Sequence, residues 1–136
     1  FSAVAAELGN IILAQNTYSE VEFKIDLDAN GSEAALELNG QFTNTAGVVK
    51  PVIFRVNTLL EIKAEQNDII ITDNSNTTAL TTLDLSVLTN GVTQALLNNA
   101  SVSNGTILIS SSSNSNLYNI IVANLQSHHD VEIGHN

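Results

Sequence analysis

The chain has no cysteine, methionine or tryptophan, a single proline and only four basic residues. Each shortage excludes something. Without cysteine there is neither a disulfide framework nor a thiolate metal site; many secreted bacterial and archaeal proteins share that absence, so it does not fix the compartment. Lys24, Lys50, Arg55 and Lys63 stand against fourteen acidic residues, for a net charge of −10. No basic footprint exists for a phosphate backbone, so nucleic acid and anionic membranes are disfavoured and divalent cations are the natural counter-ions. No apolar run approaches the length of a membrane span. Catalytic signatures are missing too. No serine lies in Gly-x-Ser-x-Gly and no glycine-rich phosphate loop is present. Glu20, Glu22 and Asp26 read as a solvated strand face, so the chain is not expected to be an enzyme. The aromatics Phe1, Tyr18, Phe23, Phe42, Phe54 and Tyr118 are too few for a sugar-stacking platform. Phe23, Phe42 and Phe54 fall on apolar strand faces and read as core.

What the chain does have is neutral polarity. Eighteen Asn, thirteen Ser and twelve Thr do most of the solvation, while charged residues make up 13%. Amides and hydroxyls favour strands and turns over helices and dissolve a protein without strong fields. At 136 residues, 43% of them hydrophobic, the chain suits one domain with a real core. It starts at Phe1 rather than Met, as expected after removal of a leader or after trimming. Sequons occur at Asn30, Asn76, Asn99 and Asn104, each a candidate for glycosylation. Export to the cell surface is the expectation.

Strand patterns dominate. Val21, Phe23, Ile25 and Leu27 alternate with Glu20, Glu22, Lys24 and Asp26. After Asn30-Gly31, Ala34, Leu36, Leu38 and Phe42 continue the alternation, which predicts a hairpin. Asn44 to Gly47 punctuates, and a strand over 52–56 follows, extending through Leu59 to Ala64, with Pro51 near its start. A turn is expected at Glu65 to Asp68, then the run Ile69 to Ile71 and a polar loop over 73–78. Leu83, Leu85 and Val87 suggest a strand, and Leu88 to Asn98 has helical spacing. Thr106 to Ser110 reads as a strand, Ser110 to Asn116 as a loop and Asn119 to Leu125 as a last strand. Eight or nine strands imply an all-β fold, a β-sandwich or jelly roll with an extended N-terminal strand and one short helix. The organisation is a 1–15 extension, a 16–127 sandwich and a 128–136 polar tail.

Three segments carry candidate sites. Asp26, Asp28, Asn30, Gly31 and Glu37 match the spacing with which a loop gathers hard oxygen ligands around calcium. Strand periodicity before the loop and Glu33 at a normally apolar position argue against a helix–loop–helix hand. The competing reading is a solvated Asn-Gly turn, and a glycan on Asn30 would itself compete with the metal. His128, His129, Asp130, Glu132 and His135 have no spacing that fixes a tetrahedral site and read as a polar end. At the N-terminus the even positions Val4, Ala6, Leu8, Asn10, Ile12 and Ala14 form a mostly apolar comb, with Val4, Ala6, Leu8 and Ile12 the candidate contacts. It reads as an ordinary first strand, as a short helix over 2–8, or as a strand donated to a neighbouring subunit's sheet edge.

The stretch Gln41-Phe42-Thr43-Asn44-Thr45-Ala46-Gly47, running into Val52 to Val56, resembles a strand–Asn–turn–strand element of the TasA/camelysin-type secreted fibre proteins, to which archaeal bundling pili are similar. The resemblance covers about a fifth of the chain. It implies a jelly-roll domain beginning shortly after a cleaved leader, polymerising when an N-terminal segment joins the next subunit's sheet. The resulting expectation is a structural subunit of an extracellular filament or pilus, a homopolymer. The alternatives are a calcium-stabilised secreted adhesin or glycan-binding module, and a virion coat or decoration protein.

Overall fold

The alternation over Tyr18 to Leu27 is realised in β1 (Asn16–Leu27), though its partner is not the next strand. β1 runs antiparallel to β4 (Leu60–Ile71), from Asn16 opposite Ile71 to Leu27 opposite Leu60. The predicted hairpin with β2 (Leu36–Thr43) is therefore corrected. The Asn30 turn does close, with Asn30 N–H donating to the Glu33 carbonyl at 3.2 Å and Glu33 N–H to Asn30 at 3.0 Å. Gly31 supplies the φ of +61° that this turn needs. The ladder stops there because Ala35 and Leu36 pack into the core on one side while Leu27 stays on β4.

In a computed structural model of the chain, residues 13–72, 77–81, 86–127 and 131–135 are described, with 77–81 and 131–135 by backbone only. The expected all-β class holds: seven strands lie among the described residues in small sheets, accompanied by two helices. β2 pairs antiparallel with β3 (Val49–Val56), and β3 pairs in parallel with β6 (Ile107–Ile109). Pro51 sits just before the β3–β6 pairing begins at Val52, where no ladder bond on that side is lost. β5 (Thr77–Thr81) pairs antiparallel with β7 (Val131–His135). Part of the expected polar tail, and the end of the expected 73–78 loop, are thus strand.

Several expected elements differ. The strand over 52–64 is two strands, β3 and β4, broken at Asn57 to Leu59. The turn expected at Glu65 to Asp68 lies inside β4, where Asp68 adopts a φ of +56°. Pairing runs through it unchanged, with Tyr18 opposite Ile69 and Glu20 opposite Asn67. The burial alternation slips by one position at this rung in both strands, from Val21 and Ala64 to Tyr18 and Ile69. The helix expected over 88–98 is short, α1 (Gln94–Asn98), capped by the Thr93 hydroxyl accepting from Leu96 N–H. Val87 lies in a turn, and Leu83 and Leu85 fall outside the described residues.

The largest correction is at 119–125, which is helical, within α2 (Ser115–Ser127). Leu117, Ile121 and Leu125 recur at a spacing of four and are all buried, so this helix presents one apolar stripe. Burying three such side chains contributes roughly 1.5–3 kcal/mol each, which outweighs the strand preference of Ile120, Ile121 and Val122. The core joins that stripe to Phe54 and Val56 of β3, Leu60 and Ile62 of β4, Ile107 and Ile109 of β6, and Leu88. Phe42 packs against this cluster and the Phe54 ring meets Tyr118 at a centroid distance of 5.8 Å. Phe23 is half-buried on the ribbon's inner face.

Candidate assembly surface

β2 is an edge strand among the described residues: β3 takes one side and no described strand takes the other. Unpaired backbone N–H and C=O groups along such an edge are a template for another strand. Natural proteins blunt edges with lysine, proline or inward charge, and β2, with the sequence LELNGQFT, has none of these. Its one charge is neutralised. Glu37 receives the Arg55 Nε at 2.9 Å and Nη2 at 2.7 Å, and Asn39 Nδ2 at 3.3 Å. The Arg55 guanidinium, followed by Asn39, holds the Glu37 carboxyl below the ordinary carboxylate range.

Beside this edge lies an apolar cleft of about 220 Å³. Its floor comprises Val52 and Phe54 of β3, Ile109 and Ile121, and its far wall is Leu88, Thr89, Val92 and Leu97. On β3 alternate residues line it, as expected for a cavity under one sheet face. On β2 the consecutive residues Leu38, Asn39, Gly40 and Gln41 line it. Gly40 shares the inward face with Leu38 and Phe42, yet a Cβ built there meets nothing within 4 Å. The cleft is the space where that side chain would be. Sequence reading missed it, although the skip in the series Leu36, Leu38, Phe42 marks the position.

The other expected site residues are dispersed. Asp26 is on β1, 4.0 Å from Lys24, and Asp28 Oδ1 accepts from Ala29 N–H at 2.8 Å. With Glu37 tied to Arg55, the four expected calcium positions are not gathered into one donor set. No group of three or more His, Cys, Asp or Glu side chains that could hold a metal ion occurs among the described residues. Asn30, Asn99 and Asn104 are exposed in turns or at a helix end; Asn76 lies outside the described residues. So do His128, His129 and Asp130, whereas Glu132 and His135 belong to the β7 backbone. Val4, Ala6, Leu8 and Ile12 also lie outside the described residues.

The β1–β4 ribbon carries a cluster of charged residues on its outer face. Register places Lys24 opposite Lys63, Glu22 opposite Glu65 and Asp26 opposite Glu61. Relief comes diagonally, with Lys24 on Glu61 and Lys63 at 3.9 Å from Glu22, and along β4, with Lys63 at 3.7 Å from Glu61. The hydrogen bond from Lys24 lowers the pKa of Glu61 and raises that of Lys24 itself. These are solvated pairs that shape the surface rather than a reactive centre. Among the described residues no helix is long and apolar enough to cross a membrane. No protein-family model matches the chain, and neither a curated protein nor a solved structure matches it.

Proposed function

We propose that the protein is a structural subunit of an extracellular filament, polymerising when the N-terminal segment of one copy, Phe1 to about Gln15, adds as a strand to a sheet of the next. The observation that supports this most is the β2 edge, which no described strand pairs and which is neutral and without the lysines or prolines that protect edges in monomers. Strand addition suits both partners. Backbone hydrogen bonds supply affinity that is indifferent to charge, and the comb Val4, Ala6, Leu8, Ile12 supplies apolar side chains on one face. A surface solvated largely by amides and hydroxyls also lets like subunits approach closely.

The test is negative-stain microscopy of the full chain beside a variant lacking residues 1–12. Filaments are expected from the full chain, and soluble monomers with an unchanged strand signature in circular dichroism from the truncated one. Filaments of equal length and number from the truncated protein exclude assembly by strand donation.

A further inference from the structure

We infer that Asn104 is a site of spontaneous covalent modification: the Gly105 nitrogen attacks the Asn104 side-chain amide, and a cyclic imide carries the asparagine to aspartate and isoaspartate. This goes beyond the filament reading and does not depend on it.

Four of the chain's seven glycines follow an asparagine, at Asn30, Asn39, Asn90 and Asn104. With no Cβ, glycine lets its own nitrogen approach the preceding side chain closely. All four asparagines are exposed, so neither neighbour nor solvent access separates them. Backbone geometry does. Asn104 and Gly105 are the central residues of a two-residue loop, in which Ser103 N–H donates to the Thr106 carbonyl and Thr106 N–H to the Ser103 carbonyl, both at 2.9 Å. Their φ values of +50° and +80° make it a type I′ turn. Flipping the peptide unit between them gives type II′, which closes the same loop and carries the Asn104 ψ to about −120°. In an L-residue that ψ eclipses the next nitrogen with Cβ, as a planar imide ring requires. Neither bracketing hydrogen bond has to break. No described group accepts from Gly105 N–H, and a Cβ built at Gly105 meets nothing within 4 Å, so the ring and an attacking water have room.

The other three asparagines are held by bonds that ring closure must break. The Asn30 carbonyl accepts from Glu33 N–H at 3.0 Å, and the Asn90 carbonyl accepts from Asn124 Nδ2 at 2.8 Å. At Asn39 the nucleophile itself is engaged. Asn44 N–H donates to the Val48 carbonyl at 2.9 Å, one rung beyond Thr43 opposite Val49. Antiparallel rungs are hydrogen-bonded alternately, so Gly40 N–H is spent on Val52. Pro51, which has no N–H, falls on an unbonded rung opposite Gln41, as that alternation demands.

In the reaction Gly105 N–H yields its proton to solvent base, the N–Cγ bond forms, the Cγ–Nδ2 bond breaks and ammonia leaves. Water then opens the imide at Cγ to give aspartate, or at the main-chain carbonyl to give isoaspartate. Either product adds a carboxylate to a chain of net charge −10. Isoaspartate also lengthens the loop that leads into Ile107, where β6 meets Val52. A glycan on Asn104 takes the same nitrogen, so the two modifications exclude each other.

The test ages the full chain, produced without glycans, in warm, mildly alkaline buffer, native and in urea, with tandem mass spectrometry of all four Asn-Gly sites. In urea the four are expected to convert at comparable rates. In the native protein Asn104 is expected to lead the others by about tenfold, the rate factor that one net hydrogen bond imposes. A native chain in which Asn30, Asn39 or Asn90 converts as fast as Asn104, or in which Asn104 stays intact while the urea sample reacts, overturns the inference. Aspartate without isoaspartate at Asn104 overturns the imide route. Asn104→Gly keeps the left-handed backbone and removes the amide. It is expected to lose the early conversion and its isoaspartate signal; an early conversion that survives in this variant belongs to another site and overturns the assignment.

Discussion

At the scale of single residues, two side chains do more than their type suggests. Asn114 sits at a φ of +51° just before α2. Its amide accepts from Ser101 N–H at 2.8 Å and donates to the Ser101 and Leu108 carbonyls at 3.0 and 2.8 Å. It ties the 101–108 segment to the start of the helix. Asn114→Gly keeps the backbone conformation but loses these bonds, at a cost of about 1–3 kcal/mol. Asn114→Ala adds the left-handed strain of a Cβ, a further 1–2 kcal/mol or so. Urea unfolding of both variants separates the two effects, and equal stabilities exclude the strain contribution. Glu37 gives a pH-dependent test. Its folded pKa is depressed, so the stability it contributes is complete above the ordinary carboxylate value of about 4.3 and is lost as pH falls through the lowered value. The melting-temperature gap between parent and Glu37→Gln is expected to be constant from pH 8 to about pH 5.5 and to close in acid. The pair is exposed, so that gap is small and shrinks with salt.

At the scale of elements, period-two alternation makes β1 and β2 readable from the residues alone, and a tight turn at Asn30-Gly31 is equally plain. Partner choice is not readable. β1 joins a strand that begins 33 residues after it ends, and nothing in a local pattern encodes that distance. α2 escapes sequence reading for a different reason. Ile120, Ile121 and Val122 are β-branched and score as strand, whereas the decisive signal is Leu117, Ile121 and Leu125 spread over two helical turns. The stripe carries an expected magnitude: Leu117 is fully buried, so Leu117→Ala should destabilise by about 2–5 kcal/mol in chemical denaturation. A loss under about 1 kcal/mol means that the helix does not seal the sheet as described. The cleft beside β2 is half legible. The missing rung at Gly40 is visible in the sequence, but the wall formed by Leu88, Val92 and Leu97 depends on tertiary placement.

At the scale of the whole molecule, a net charge of −10 acts on every encounter between copies. Under the proposed filament reading, copies that join through neutral strands still repel over about a Debye length, so assembly is expected to accelerate from low to physiological salt. Light scattering at the two ionic strengths measures this, and a salt-independent rate rules out like-charge repulsion as the barrier. The ribbon carries a consequence of its own. In the native ladder the lysines face each other and so do the carboxylates, with attraction supplied on the diagonal and between neighbours two apart on one strand. Sliding β1 past β4 by two residues sets Lys24 squarely against Glu61 and Glu22 against Lys63. Coulomb forces thus prefer a misaligned strand pair, while the apolar side chains and the backward-turning Asp68 select the true one. Refolding in dilute buffer is therefore expected to stall in that wrong alignment, and added salt to shorten the delay.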